Sequence, residues 1–291
     1  MSNQTNIAII GGSQAYTLLS RGSFDVSKIP TFETPFGSVD TLYKLNLADK
    51  ELYFLSRHGN KGYEVSAPFV NYRANIYALK ELGVNQIVAW TGPGAINTDY
   101  KIGSYVIIND VIDETRNRQG TFFRNKGHGF IRMAEPFCST VRSSIEKALN
   151  NLELHYESQG VYVCTEGPRL ETPSEIKKYE LFGGDLVGMT LVPECFLAKE
   201  LEICYAAIGY VTNYAEGVKD TQYDPDKLFG GLTSPQEFEE VKDAVNNFPM
   251  ILEETVRQLL LIKPKCKCQR SMSRFKTEGR VEQDWHEWIG K

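Results

Sequence analysis

The stretch Thr165-Glu-Gly-Pro-Arg-Leu-Glu-Thr-Pro-Ser-Glu175 decides how this chain is read. The alternating segment before it, Gly160-Val-Tyr-Val-Cys-Thr165, predicts a buried strand. After it, Thr172 and Glu175 have capping-box spacing and Pro173 stands at the first helical position, so a helix begins there. A strand that turns at Gly167-Pro168 into a helix is the building unit of an α/β fold, and ligands bind at such strand ends. Arg169 and Glu171 are placed there to work on a ligand. The plainer alternative is a surface connection with both charges in water.

Two more strand ends follow within a short span. Gly184-Asp-Leu-Val-Gly-Met-Thr190 is a short apolar strand, and Pro193–Leu201 is the helix after it. Ile203–Val211 is another apolar strand, closed by Thr212-Asn213-Tyr214-Ala215. Glu171, Met189 with Thr190, and Asn213 therefore all stand at turns after strands.

These residues resemble the trimeric purine nucleoside phosphorylase and methylthioadenosine phosphorylase family. The resemblance runs from about Asn6 to about Ile262 and includes Phe69-Val-Asn-Tyr-Arg-Ala-Asn-Ile76 and Gly188-Met-Thr-Leu-Val-Pro-Glu194. The expected architecture is one α/β domain over residues 1–262, a mixed and partly closed β-sheet flanked by helices, with a polar tail over 263–291. The resemblance alone implies a homotrimer.

Hydrophobic residues make up 42% of the chain, enough for a substantial core, and the net charge of −5 with no basic run before the tail argues against a nucleic-acid partner. Ile7–Ile10 is too short for a signal core or a membrane span, so a cytoplasmic protein is expected. Cys138, Cys164, Cys195 and Cys204 lie in apolar segments and read as small core hydrophobes. Cys266-Lys-Cys268 is short and basic, and no second ligand pair is spaced along the chain to make a metal site with it, so no metal is expected. Some family members carry a late Cys-x-Cys that forms disulfides; in a reducing compartment free thiols are expected here.

Along the chain, Asn6-Ile-Ala-Ile-Ile-Gly-Gly-Ser13 is a first strand closed by a glycine turn. In the family this turn holds phosphate, which assigns that role to Ser13; Gln14 departs from the family's glycine. Phe36–Leu47 and Glu51–Ser56 read as a hairpin through Ala48-Asp49-Lys50. The second strand delivers Arg57-His58-Gly59, a guanidinium beside an imidazole, suited to a phosphate dianion. Phe69–Leu82 is a helix ended by Gly83, and Asn85–Thr91 a strand closed by a glycine turn in which Thr91 and Gly92 match a family phosphate contact. Gly103–Asp113 reads as one strand, Glu114–Gly129 as a loop, and Ser139–Leu149 as a helix. Thr121-Phe-Phe123 and Ile131–Cys138 resemble the family segment that reaches a neighbouring subunit, with Phe130 where many relatives have histidine. Glu216–Thr233 reads as a mobile loop or lid, and Gln236–Leu261 as a long helix bent near Pro249.

The family reaction is phosphorolysis of a purine nucleoside, with inorganic phosphate as co-substrate and no cofactor. The resemblance assigns phosphate to Ser13, Arg57, His58, Thr91, Gly92 and Thr190, ribose to Met189, and the base to Leu170, Glu171, Asn213 and Ala215. Glu171 and Asn213 carry the catalytic assignment, because the leaving base must be hydrogen-bonded as its charge grows. A 6-oxopurine offers a donor at N1 to a carboxylate, and an asparagine can meet its N7 and oxo edge. Adenine-selective relatives typically have serine at the position of Glu171 and aspartates at those of Asn213 and Ala215. Inosine, guanosine or 5′-methylthioinosine are therefore the expected substrates. A methylthioadenosine phosphorylase with an altered pocket, and a ligand-binding paralogue with little catalysis, remain the alternative readings.

Overall fold

The computed structural model describes residues 6–12, 14–15, 17, 22, 25–124, 126–220, 224, 226 and 233–289. In chain order the strands are β1 Ile7–Gly11, β2 Val26–Lys28, β3 Phe32–Thr34, β4 Gly37–Val39, β5 Leu42–Leu47, β6 Lys50–Ser56, β7 Gln86–Thr91, β8 Gly94–Ala95, β9 Tyr105–Ile107, β10 Asp110–Glu114, β11 Tyr156–Glu157, β12 Val161–Thr165, β13 Leu186–Gly188, β14 Cys204–Tyr210 and β15 Asn213–Tyr214. The helices are α1 Tyr72–Glu81, α2 Ser139–Asn151, α3 Pro173–Leu181, α4 Glu194–Glu200, α5 Pro235–Asn246, α6 Phe248–Leu261 and α7 Ser273–Thr277.

An eight-stranded mixed sheet runs in the order β11-β9-β14-β7-β1-β6-β5-β2, and a five-stranded one in the order β10-β12-β13-β8-β15. The centre of the large sheet, β14-β7-β1-β6, is parallel. β1, β7 and β14 are buried along their whole length and β6 over its last three residues, as a sheet covered on both faces requires. Ala8 and Ile10 of β1 enter one core with α1 and α4, while Ile7 and Ile9 enter the other with α2 and α6. Three strands of the large sheet continue into the smaller one after two residues each: β7 into β8, β9 into β10, β14 into β15. Those breaks bend the sheet on itself, which is the partly closed form expected.

Local signals held where they were strongest. Thr172 and Glu175 make the reciprocal capping box of α3. Ala48 and Asp49 take positive φ and close the β5–β6 hairpin in two residues. Three expectations are corrected. Phe36–Leu47 is two strands, because β4 pairs with β3 around the Thr34–Gly37 turn. Gly103–Asp113 is also two strands, since Ile108 and Asn109 carry the chain from one sheet to the other. Gln236–Leu261 breaks fully at Asn247, because the ring of Pro249 allows only a new helix start there. Most of the expected lid over Glu216–Thr233 lies outside the described residues.

The last segment packs on the body. Met272, Phe275 and Trp288 are buried in the core that holds α1 and α4, and Glu202 binds both the Met272 amide and the Lys276 ammonium. Cys266 and Cys268 also do not stand alone: folding places them beside Cys138 and Cys204. Cys164 and Cys195 are buried core residues, as expected. Among the described residues no helix is long and apolar enough to cross a membrane.

Trp288 is 1% exposed. Trp288→Ala is expected to destabilise the fold by roughly 3–5 kcal/mol in reversible unfolding, the cost of emptying a large aromatic site. An unchanged unfolding midpoint would mean that the tail does not belong to the core.

Candidate active site

The carboxyl ends of the parallel strands are where a doubly covered sheet leaves room for a ligand. Here those ends border a cavity of about 950 Å³. Arg57, His58, Thr91, Gly92, Thr190, Met189, Leu170, Glu171, Asn213 and Ala215 all line it. Ser13 lies outside the described residues; Gly12 and Gln14 on either side of it line the same wall. Arg169 stands at the rim with a side chain 65% exposed and is paired with Glu175 rather than aimed inward.

One wall carries a buried cation and a set of hydroxyls. Arg57 follows β6, and its Nε and Nη2 both bind the carboxylate of Glu194, the latter at 2.9 Å. Tyr205 donates to the same carboxylate at 2.7 Å. Burial works against the Arg57 charge, but Glu194 beside it outweighs burial and holds the pKa above its ordinary value. Such a pair is costly to break: removing one partner strands the other, at about 3–5 kcal/mol. Two edges of the guanidinium are thus fixed; Nη1 donates to the Trp90 carbonyl at 3.4 Å and lies near Gly12, and Arg57 lines the cavity.

His58 is a neutral ring. Its Nδ1 lies 2.8 Å from the Val65 carbonyl. A carbonyl only accepts, so Nδ1 carries the proton and Nε2 keeps its lone pair. Burial, followed by the Arg57 charge, pushes its pKa down to about 4. The charge expected from the Arg57-His58 pair therefore comes from Arg57 alone. Beside them Thr91 Oγ1 and Thr190 Oγ1 are 2.8 Å apart, and Tyr162 OH lies 3.4 Å from the first and 3.2 Å from the second. Gly188 is required there, because a Cβ would collide with the Tyr162 hydroxyl.

The other wall carries a carboxylate and an amide. Thr165 Oγ1 donates to Glu171 Oε1 at 2.5 Å, which leaves Oε2 without a hydrogen bond among the described residues. Asn213 is oriented by its neighbours: Oδ1 accepts from Thr212 at 2.7 Å, and Nδ2 donates to the Tyr214 carbonyl at 2.8 Å. Each end of that amide keeps capacity for one further bond. Ala215 presents only a methyl group. Gly167 takes φ +70° and lets Met189 pack across the turn before Glu171. Arg118 fastens this region from behind, donating to the carbonyls of Thr165, Glu166 and Val192 at 3.0, 2.8 and 2.5 Å.

Glu194, Tyr162, Thr165 and Arg118 were not singled out from the sequence. Glu194, Tyr162 and Arg118 act through partners remote in the chain, and Thr165 through Glu171 six residues on, where no periodic pattern marks the pairing. The start of α5 was also missed; Ser234, Pro235 and Phe238 line the cavity.

The sequence profile of the family described as the phosphorylase superfamily matches residues 6–257. A 6-oxopurine nucleoside phosphorylase from Pyrococcus furiosus is 43% identical over 219 residues, 73% of this chain and 80% of that protein. An S-methyl-5′-thioadenosine phosphorylase from Saccharolobus solfataricus is 39% identical over 215 residues, 73% of this chain and 78% of that protein. The solved methylthioadenosine phosphorylase of Schistosoma mansoni in complex with adenine superposes with a TM-score of 0.80 at 29% identity, covering 94% of this chain and 98% of that one.

His58 gives the fold a pH dependence. Between its ordinary value of 6.5 and about 4, the unfolded ring binds a proton that the folded ring refuses. Stability from this site is therefore complete above pH 6.5 and is lost as pH falls towards 4, by roughly 3 kcal/mol. His58→Gln is expected to flatten that part of the stability profile; a profile identical to the parent's would contradict a neutral buried ring.

Proposed function

This chain belongs to the phosphorylase superfamily, and we propose that it uses inorganic phosphate to cleave purine nucleosides, with preference for 6-oxopurine bases. It is a pentosyltransferase of the purine nucleoside phosphorylase type, the kind to which its relatives belong. The observation that carries the preference is the far wall of the cavity: Glu171 fixed by Thr165, Asn213 fixed by Thr212 and Tyr214, and a methyl group at Ala215.

A phosphate would bind against Arg57 Nη1, the hydroxyls of Thr91 and Thr190, and the backbone at Gly92, with Ser13 completing the set. Neutral His58 would accept a hydrogen bond from the one proton that phosphate keeps near neutral pH. A phosphate oxygen then bonds to the anomeric carbon as the bond from that carbon to N9 breaks. The electron pair leaves with the purine. Met189 lies against the ribose. Asn213 Nδ2 donates to N7 as negative charge grows there, and Glu171 Oε2 accepts from the N1 proton. The purine anion takes up a proton from solvent, and the products are free base and ribose 1-phosphate, or its methylthio form. No cofactor enters the scheme.

The same wall disfavours adenine. Its N1 is an acceptor and would face the Glu171 carboxylate lone pairs, and no carboxylate stands at Ala215 to receive the 6-amino group. A site built around one polar pattern can reject the wrong one by roughly 10⁴-fold. The resemblance also carries a cytoplasmic, homotrimeric enzyme of purine salvage into this proposal. Phe69 and Phe130, 75% and 81% exposed, are apolar surface that such an assembly would cover. Sedimentation velocity is expected to give a trimer, and a monomer at micromolar concentration would contradict it.

Activity is tested by following base release with and without phosphate. Hypoxanthine from inosine is expected to appear faster than adenine from adenosine or methylthioadenosine. The double variant Glu171→Ser with Asn213→Asp is expected to move the ratio of kcat/KM for inosine over adenosine towards adenosine by at least about a hundredfold. An unchanged ratio would show that these two side chains do not read the base.

A further inference from the structure

Away from the cavity, four cysteines converge. The ligand atoms of Cys138, Cys204, Cys266 and Cys268 all lie within 4.8 Å of one another, and those of Cys204 and Cys266 are 3.4 Å apart. Three of the four are buried and Cys266 is half-buried, which leaves one open side. We propose that these four sulfurs form a tetrathiolate site for a single zinc ion, one that fastens the C-terminal segment to the sheet.

The geometry supports one ion. Zinc takes four thiolates at about 2.3 Å, which places the sulfurs of a tetrahedron about 3.8 Å apart. The observed spacings bracket that edge. The framework is also set by bonds that do not involve sulfur. The Cys138 amide donates to the Tyr205 carbonyl at 2.7 Å and so seats Cys138 beside Cys204 at the start of β14. Thr140 Oγ1 accepts from the amides of Lys265 and Cys266 at 3.2 Å each and brings the Cys-Lys-Cys turn to the same place. Ser271 ties the following turn to the Lys199 carbonyl at 2.6 Å.

Binding zinc releases the four thiol protons and leaves a core of net charge −2, which burial would penalise without compensation. Compensation is present. Cys138 is the N-cap of α2, a thirteen-residue helix whose positive end faces its sulfur. The Lys199 ammonium stands 4.0 Å from Cys268 Sγ, held there by the Glu135 carbonyl at 2.8 Å. A lone disulfide would use two of these cysteines and explain neither the second pair nor the lysine.

The test is metal analysis of the untagged full chain, purified in reducing, chelator-free buffer and, if metal-free, incubated with Zn²⁺ alone. About one zinc per chain is expected, with all six thiols of the chain titratable after denaturation in chelator. Replacement by Co²⁺ should give thiolate-to-cobalt charge-transfer bands of a tetrahedral site. Cys266→Ser, at the most exposed position, should lower zinc content and the unfolding midpoint while the far-ultraviolet spectrum stays that of the parent. Six free thiols with no uptake of Zn²⁺ or Co²⁺ would overturn the proposal. So would disulfides in place of thiols, iron in place of zinc, or full zinc retained by Cys266→Ser.

Discussion

The buried pair of Arg57 and Glu194 is the constraint on which the site depends. The two residues lie 137 positions apart and are almost wholly excluded from water. Their pairing joins the end of β6 to the start of α4, directly after the segment that carries Met189 and Thr190. Neither charge is tolerable there without the other. Tyr205 closes the carboxylate from the large sheet, so a strand on each side of β7 and β1 is committed to one guanidinium orientation. The guanidinium is consequently held in one position at the cavity wall, and the residues on either side of the pair inherit that placement.

The rest of the cavity follows from how the sheet bends. Thr91-Gly92 and Thr212-Asn213 lie at two of the breaks where strands pass from the large sheet to the small one. A break frees backbone and side chains that a continuous ladder would consume, and it faces them inward. The third edge is supplied by β12 and β13, whose ends present Glu171 and Thr190. The arginine-and-hydroxyl wall and the carboxylate-and-amide wall thus arise from a single device, a mixed sheet folded over on itself. In each wall the polar groups are already held by a neighbour: Glu171 by Thr165, Asn213 by Thr212 and Tyr214, and Thr190 by Thr91 and Tyr162. Such groups need little rearrangement to meet a developing charge, which is the economical way to stabilise it.

The sequence disclosed the strand ends and hid what supports them. Glu171, Thr190 and Asn213 were legible because each follows an apolar strand at a marked turn. Glu194, Tyr162 and Arg118 were not, because their partners come from other parts of the chain and pairing over such distances leaves no local period. The division of Gly103–Asp113 was invisible for a related reason: both halves are apolar strands, and only the pairing shows that they serve different sheets. Cys138 and Cys204 read as ordinary core residues, since ligand spacing along the chain says nothing about four sulfurs gathered from three segments. Tail residues 263–289 looked polar because their buried members, Cys268, Met272, Phe275, Val281, Trp288 and Ile289, are few and mostly widely spaced.

Central to this account is one cavity in which a carboxylate and an amide read a keto-bearing purine while an anion sits at the arginine wall. The most direct measurement is a crystal structure of the protein soaked with hypoxanthine and phosphate. Glu171 is expected within hydrogen-bonding distance of N1 and Asn213 of N7, with the phosphate on Arg57, Thr91 and Thr190. A base turned with its N1 edge away from Glu171, or a phosphate bound away from Arg57, would contradict it.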